Sequence, residues 1–413
     1  RPTIFSNLHP TIGASDVKYV TIVAIAIAGI MSLGALAIDA MLPALDIIAR
    51  DLGLEDLARQ QYVILAFFLG LGVTQIFIGP LSDRFGRRKL LLLSLALYTL
   101  CALAAAAAPN FDLLLLARAL QGAAAAGGRI LVNAIVRDLY EGRTMARIIS
   151  LAQIAFVTVP VVAPLVGAAV LLVSTWRGIF LFIAALGGIY WLWIALRLPE
   201  TQDSHYRGQR WQSALIIALR DKRLIGFSLA AGLCFISLVV YLGNVAQIFT
   251  RVYGRPDLIA TGFALVAVPM GISAYFNARL VMRFGMGRLV LVAICVLTVT
   301  SGAMVAASSM MAIPLAAFLM CQAIILSCST VIQGNLTALA LEKLGAIAGM
   351  ASSLYGSIST LVSVVGAGLI GSLFQLRLPV YYAGIATAAV LSLAIILYLR
   401  PKRGRTRRPE TET

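Results

Sequence analysis

The chain has 413 residues, of which 61% are hydrophobic and only 12% charged, and its mean hydropathy is +0.95. Segments of about 20 residues stay apolar on every side, which excludes a soluble globular domain and fits helices that span a membrane. A net charge of +16 would suit nucleic-acid binding in a soluble protein, but here the cations are spread over many loops. Anionic lipid headgroups are the expected partner instead, and no nucleic acid is expected.

The apolar runs predict twelve helices. In the first half they run from Val20 to Leu45, Gln60 to Leu81, Leu90 to Ala107, Leu113 to Val136, Ile148 to Val173 and Gly178 to Leu196. The second half runs from Leu224 to Phe249, Ile259 to Met282, Leu289 to Ala306, Ala312 to Leu341, Ile347 to Leu373 and Val380 to Leu399. The first run is too long and too late for a cleaved signal peptide, so it is expected to remain as an anchor. The stretch between the sixth and seventh helices, residues 199–223, is polar and charged and reads as the linker between two six-helix bundles, residues 1–198 and 224–400. A basic tail, residues 401–413, follows the second.

Short loops rich in Lys and Arg stay on the cytoplasmic side. With the N-terminus inside, most of the 33 cations fall on that side, including Arg84, Arg87, Arg88, Lys89 and the six between Arg400 and Arg408. Arg50, Arg59, Arg177, Arg251, Arg255 and Arg377 fall on the outer side, and Arg118 and Arg129 lie within the membrane. All five cysteines fall inside predicted helices, so neither a disulfide nor a metal site is expected. His9 and His205 are remote in sequence and offer no catalytic or metal-binding pair. Gly122-Ala-Ala-Ala-Ala-Gly-Gly-Arg has the glycine spacing of a phosphate loop but lacks its Lys-Ser/Thr ending and its strand. With no cofactor and no Walker box, energy is expected from an ion gradient.

Duplication is written into one motif. Gly79-Pro-Leu-Ser-Asp-Arg-Phe-Gly-Arg-Arg-Lys closes the second helix, and Ala278-Arg-Leu-Val-Met-Arg-Phe-Gly-Met-Gly-Arg closes the eighth. Two parallel six-helix repeats around a midplane site form a transporter plan. The first of these segments resembles the signature loop of the major facilitator superfamily, and Arg118-Ala-Leu-Gln-Gly resembles that family's fourth-helix motif. Pro160-Val-Val-Ala-Pro-Leu-Val-Gly is similar to the fifth-helix motif of its exporters. Ala37-Ile-Asp-Ala-Met-Leu-Pro-Ala-Leu, Ala134-Ile-Val-Arg-Asp-Leu-Tyr, Trp176-Arg-Gly-Ile-Phe and Leu198-Pro-Glu-Thr resemble bicyclomycin-resistance-type drug exporters (Bcr/CflA), and Gly349-Met-Ala-Ser-Ser-Leu-Tyr-Gly fits the eleventh helix.

The resemblance implies an all-α membrane protein of two pseudo-symmetric bundles, a monomer of the bacterial inner membrane. It also implies an antiporter that exports a small amphipathic drug-like molecule in exchange for protons. An endogenous metabolite as cargo (a sugar, an amino acid or a siderophore) is the nearest alternative, and a non-transporting receptor is a more distant one.

Candidate residues follow. Asp39 is an acid within an apolar run, where ionisable groups are rare and functional by default. Low-dielectric surroundings penalise its charge, so its occupancy can switch with proton supply; a structural carboxylate capped by neighbouring groups is the alternative. By resemblance Asp39 takes the coupling role. Arg118 lies at comparable depth, keeps its proton, and either holds Asp39 ionised until displaced or forms a fixed internal salt bridge; Gln121 shares its face. Arg129 either meets an anionic part of the substrate or snorkels toward the inner surface beside Asn133. Asp83 can meet an arginine, with Arg137 at the inner end of the fourth helix as its natural partner; by resemblance Gly79, Asp83, Arg84, Gly86, Arg87 and Arg88 form a cytoplasmic gate, and plain topology-setting cations are the alternative. Pro160, Pro164 and Gly167 suit a hinge in the fifth helix, packed against the eighth. Tyr62, Gln75, Gln153, Tyr241, Asn244, Gln247, Gln333, Asn335 and Tyr355 are candidate substrate contacts or interhelical rivets.

Overall fold

A computed structural model describes residues 14–140, 142–198, 200–201 and 211–399; within these, the side chains of 14–26, 57, 129, 133, 137, 142–144, 146–147, 149–157 and 346 lie outside the description. The described residues are helical, with no strand among them. Twelve long helices appear: α1 (Ala14–Asp39), α3 (Tyr62–Phe85), α4 (Arg87–Ala106), α5 (Phe111–Leu139), α6 (Gly142–Val173), α7 (Trp176–Arg197), α9 (Lys222–Gln247), α10 (Ile259–Phe284), α11 (Met286–Met310), α12 (Leu315–Leu341), α13 (Ala348–Phe374) and α14 (Leu378–Tyr398). Two short helices, α2 (Leu45–Asp51) and α8 (Trp211–Arg220), complete the set. Among the described residues eleven spans are long and apolar enough to cross a membrane, and α6 contributes the shorter apolar stretch Thr158–Val173.

The packing repeats itself. In the first half α3 and α4 both lie against α5, and α4 lies against α7; in the second, α10 and α11 both lie against α12, and α11 lies against α14. The junctions repeat too. Gly86 ends α3 and starts α4 at φ +93°, and Gly285 does the same between α10 and α11 at φ +77°. Both torsions lie where a side chain is strained, which accounts for the Arg-Phe-Gly that the two segments share.

Three local departures from the predicted elements have physical causes. The first helix ends at Asp39 instead of running to Leu45. Pro43 lacks an amide hydrogen and its ring would collide with the Asp39 carbonyl four residues back, so the chain turns and restarts as a single 3-10 turn, Leu42–Ala44, followed by α2. The seventh helix stops at Gln247 and continues as a π turn, Ile248–Val252. The segment read as linker contains α8, whose Trp211, Ala214, Leu215 and Ala218 recur at the spacing of one helical face; Ala218 is buried.

The two halves meet along α3 and α13, and α6 lies against α10. The Ser357 hydroxyl donates to the Gly72 carbonyl oxygen across that seam at 2.6 Å, and Phe68 meets Phe235 edge to face at 6.1 Å.

Candidate functional site

Arg118 is fully buried, 0% exposed, in a wall formed by α3, α5 and α7. It reaches that position because α5 and α3 touch backbone to backbone. A side chain at Gly122 would place its first carbon 1.9 Å from the Phe67 carbonyl oxygen, and one at Gly70 would meet the Ala119 carbonyl oxygen at 1.8 Å. The glycine in Arg118-Ala-Leu-Gln-Gly is therefore what lets the arginine lie on Phe67. Its guanidinium carbon sits 4.6 Å from the Phe67 ring centre and 5.8 Å from that of Phe180. Nε donates to the Val63 carbonyl oxygen at 3.3 Å and Nη1 to Gln121 Oε1 at 2.6 Å, while Nη2 and Gln121 Nε2 have no partner among the described residues.

Asp39 is 5% exposed at the last residue of α1, and among the described residues no ion pair reaches it. The expected pairing with Arg118 is thus replaced by aromatic rings, a carbonyl and an amide around the arginine. Among the described residues no cation offsets a charge on this carboxyl group, and a buried charge calls for a partner. Gly167 of α6 packs against the break that follows, where an added side-chain carbon would meet the Ala40 carbonyl oxygen at 1.8 Å. Pro160 and Pro164 lie inside the same helix, which faces α10 as the sequence suggested.

At the end of the bundle that carries α2, a charged contact joins the halves. Asp46, 6% exposed, pairs with Arg50 on its own helix and with Arg251 of the π turn at 3.6 Å. Beside it Gln60 and Gln61 are buried, and the Gln61 amide lies directly on Gly371 of α13. These residues carried no signal in the sequence, because amides beside an apolar run look like an ordinary loop.

The opposite end carries the Gly79 to Lys89 segment. Arg87 pairs with Asp138 at 2.5 Å, next to the Arg137 that was the expected partner of Asp83. Glu200 accepts from the Arg87 backbone amide at 2.9 Å and fits against Gly86, where any side chain would strike its carboxylate. Arg88 donates to the Ala195 carbonyl oxygen at 2.8 Å. The Arg87–Asp138 pair and the Arg88 bond stay within the first bundle, and Glu200 lies at the start of the segment that follows it. Asp83 and Arg84 sit in the last turn of α3, and Gly79 faces Ser353 of α13 at ordinary contact distance.

The other candidates divide by location. Gln75 is buried on the seam with its Oε1 against Gly356, next to Tyr355. Gln333 donates to the Ala231 carbonyl oxygen at 2.6 Å and Asn335 to Asn277 Oδ1 at 2.7 Å, so both tie helices within the second half. Asn244 and Gln247 are buried in α9. Tyr241 stacks on Phe263 at 5.7 Å within a buried aromatic group that also holds Phe318, Tyr381 and Tyr382. Tyr62 is half-buried at the start of α3. The side chains of Arg129, Asn133, Arg137 and Gln153 lie outside the described residues. Among the described residues no group of three or more His, Cys, Asp or Glu could hold a metal ion.

Twelve long helices in two matching sets, with ionisable groups sunk between them, define a multi-pass membrane protein. The Major Facilitator Superfamily model matches residues 25–367, and the chain belongs to that family. It is 31% identical over 375 residues to the uncharacterized MFS-type transporter YdgK of Bacillus subtilis, covering 88% of this chain and 91% of that protein. The bicyclomycin resistance protein homolog of Haemophilus influenzae is 27% identical, with 84% and 88% covered. Multidrug resistance protein D of Escherichia coli is 32% identical over 42% of this chain and 44% of that protein. Among solved structures, a D-xylose-proton symporter superposes with a TM-score of 0.77 at 14% identity, covering 93% of this chain and 98% of that one. That likeness concerns the fold.

Proposed function

We propose that this transporter exports a small amphipathic, drug-like compound in exchange for protons, by rocking two six-helix bundles, residues 1–198 and 224–400, against each other. The observation that carries the reading is Asp39, buried at the point where α1 breaks, with no cation paired to it among the described residues. A carboxyl group so placed is neutral when protonated and seeks a partner when it is not, which couples its proton to the arrangement of the bundles. The names of the resistance-protein relatives support a drug as cargo. In this reading Gln75 and Tyr355 at the seam meet the substrate, with Arg118 as a fixed positive charge behind them, and α6 bends at Pro160 and Pro164. The cation bias of the loops supports an inner-membrane protein with both termini cytoplasmic, in which the Asp46 end faces outward and its charged contact holds the halves together.

The test is export in proteoliposomes under an imposed pH gradient. Asp39→Asn is expected to abolish gradient-driven efflux while the protein still folds and binds substrate, since Asn keeps the shape and discards the proton. Undiminished gradient-driven efflux by that variant overturns the assignment.

A further inference from the structure

Two grooves of similar size open on the sides of the second half. One, about 510 Å³ between α10 and α12, is lined by Leu265, Pro269, Met320 and Ile324 and has no charged residue. The other, about 480 Å³, lies where α8, α9 and α14 converge. Its walls are Ile225 and Leu229 of α9, Leu219 of α8, and Ala394 and Tyr398 of α14, and Lys222 stands at one end.

Lys222, Ile225 and Leu229 occupy one face of α9, so the groove climbs about 10 Å from the cation along the helix. Arg220 and Lys222 are both exposed at the polar end. Asp221 between them is occupied at the start of α9, where its carboxylate accepts from the Arg223 and Leu224 backbone amides at 2.8 Å each. Arg223 leans over the Phe227 ring. Tyr398 is 87% exposed at the rim, and the apolar side chains of Trp211, Ile216 and Ile217 are exposed on α8. A helix with exposed aliphatic and indole groups beside cations lies in the plane of a membrane surface.

We propose that this groove is a binding site for an anionic phospholipid, its phosphate at Arg220 and Lys222 and one acyl chain along Ile225, Leu229 and Ala394. The site stands apart from the transport reading. Charge at one end of an apolar channel fixes both the class of ligand and its direction, which the uncharged groove at α10 and α12 does not.

Native mass spectrometry of the full chain in detergent, titrated with phosphatidylglycerol or phosphatidylcholine, tests it. Each cation near an anionic lipid contributes about fivefold in affinity, so the first phosphatidylglycerol is expected to bind about twentyfold tighter than phosphatidylcholine. R220Q combined with K222Q removes that preference. Ala394→Phe, which fills an exposed wall without changing charge, weakens binding about fourfold for each methylene displaced. R407Q combined with R408Q removes equal charge from the tail and leaves the first lipid's affinity unchanged, and glycerol phosphate without acyl chains does not compete. A tail variant as damaging as the groove variant, an inert Ala394→Phe, or equal binding of the two lipids overturns the site.

Discussion

Arg251→Ala removes the charged contact between the halves, and the structure sets the size of the effect. Asp46 and Arg251 lie 3.6 Å apart with side chains 8% and 32% exposed. At an effective dielectric constant of about 20, the gross attraction at that distance is about 4.6 kcal/mol. Arg50 shares the same carboxylate, and desolvation offsets most of the remainder, which leaves a net contribution of about 1–2 kcal/mol to closing the Asp46 end. Opening there should therefore rise roughly five- to thirtyfold. The assay is labelling of Gln61→Cys, buried beneath Gly371, by a membrane-impermeant maleimide. Arg251→Ala is expected to raise the labelling rate by that factor and added salt to have less effect on the variant, while Arg50→Ala, confined to one half, changes the rate much less. Equal rates in wild type and Arg251→Ala, or a larger rise in Arg50→Ala, would refute the reasoning.

Gly122→Ala drives a methyl group into the Phe67 carbonyl and is expected to cost about 1–3 kcal/mol, seen as a lower melting temperature in detergent. Arg118→Met replaces a buried charge that has no carboxylate partner among the described residues by a chain of similar length. It is expected to retain or raise thermal stability while export falls, and a stability loss of about 3 kcal/mol or more would mark the arginine as chiefly structural.

The long helices were legible because lipid-facing segments must be apolar all round, so composition alone marks them. What escaped the sequence depended on direction or on short range. The break at Asp39 follows from Pro43, yet the apolar run continues past it and hides the turn. Helix α8 has ten residues and buries only Ala218 among them, too short and too exposed to stand out within a charged segment. Depth along a helix suggested that Arg118 and Asp39 could meet, but spacing does not give azimuth, and the packing at Gly122 turns the arginine toward Phe67 instead. Gln61 became part of the seam only when α13 was brought over it, a long-range contact no local pattern contains.

Glu200 has a bearing on how the molecule is made. Its carboxylate fastens onto the amides that begin the third long helix, so the start of the connecting segment ties down the middle of the first bundle. Everything needed for that knot has emerged once residue 201 has left the ribosome, before α9 has followed it out. The first six spans can thus settle into their final arrangement while the rest is still being translated, and the second set assembles against a finished surface.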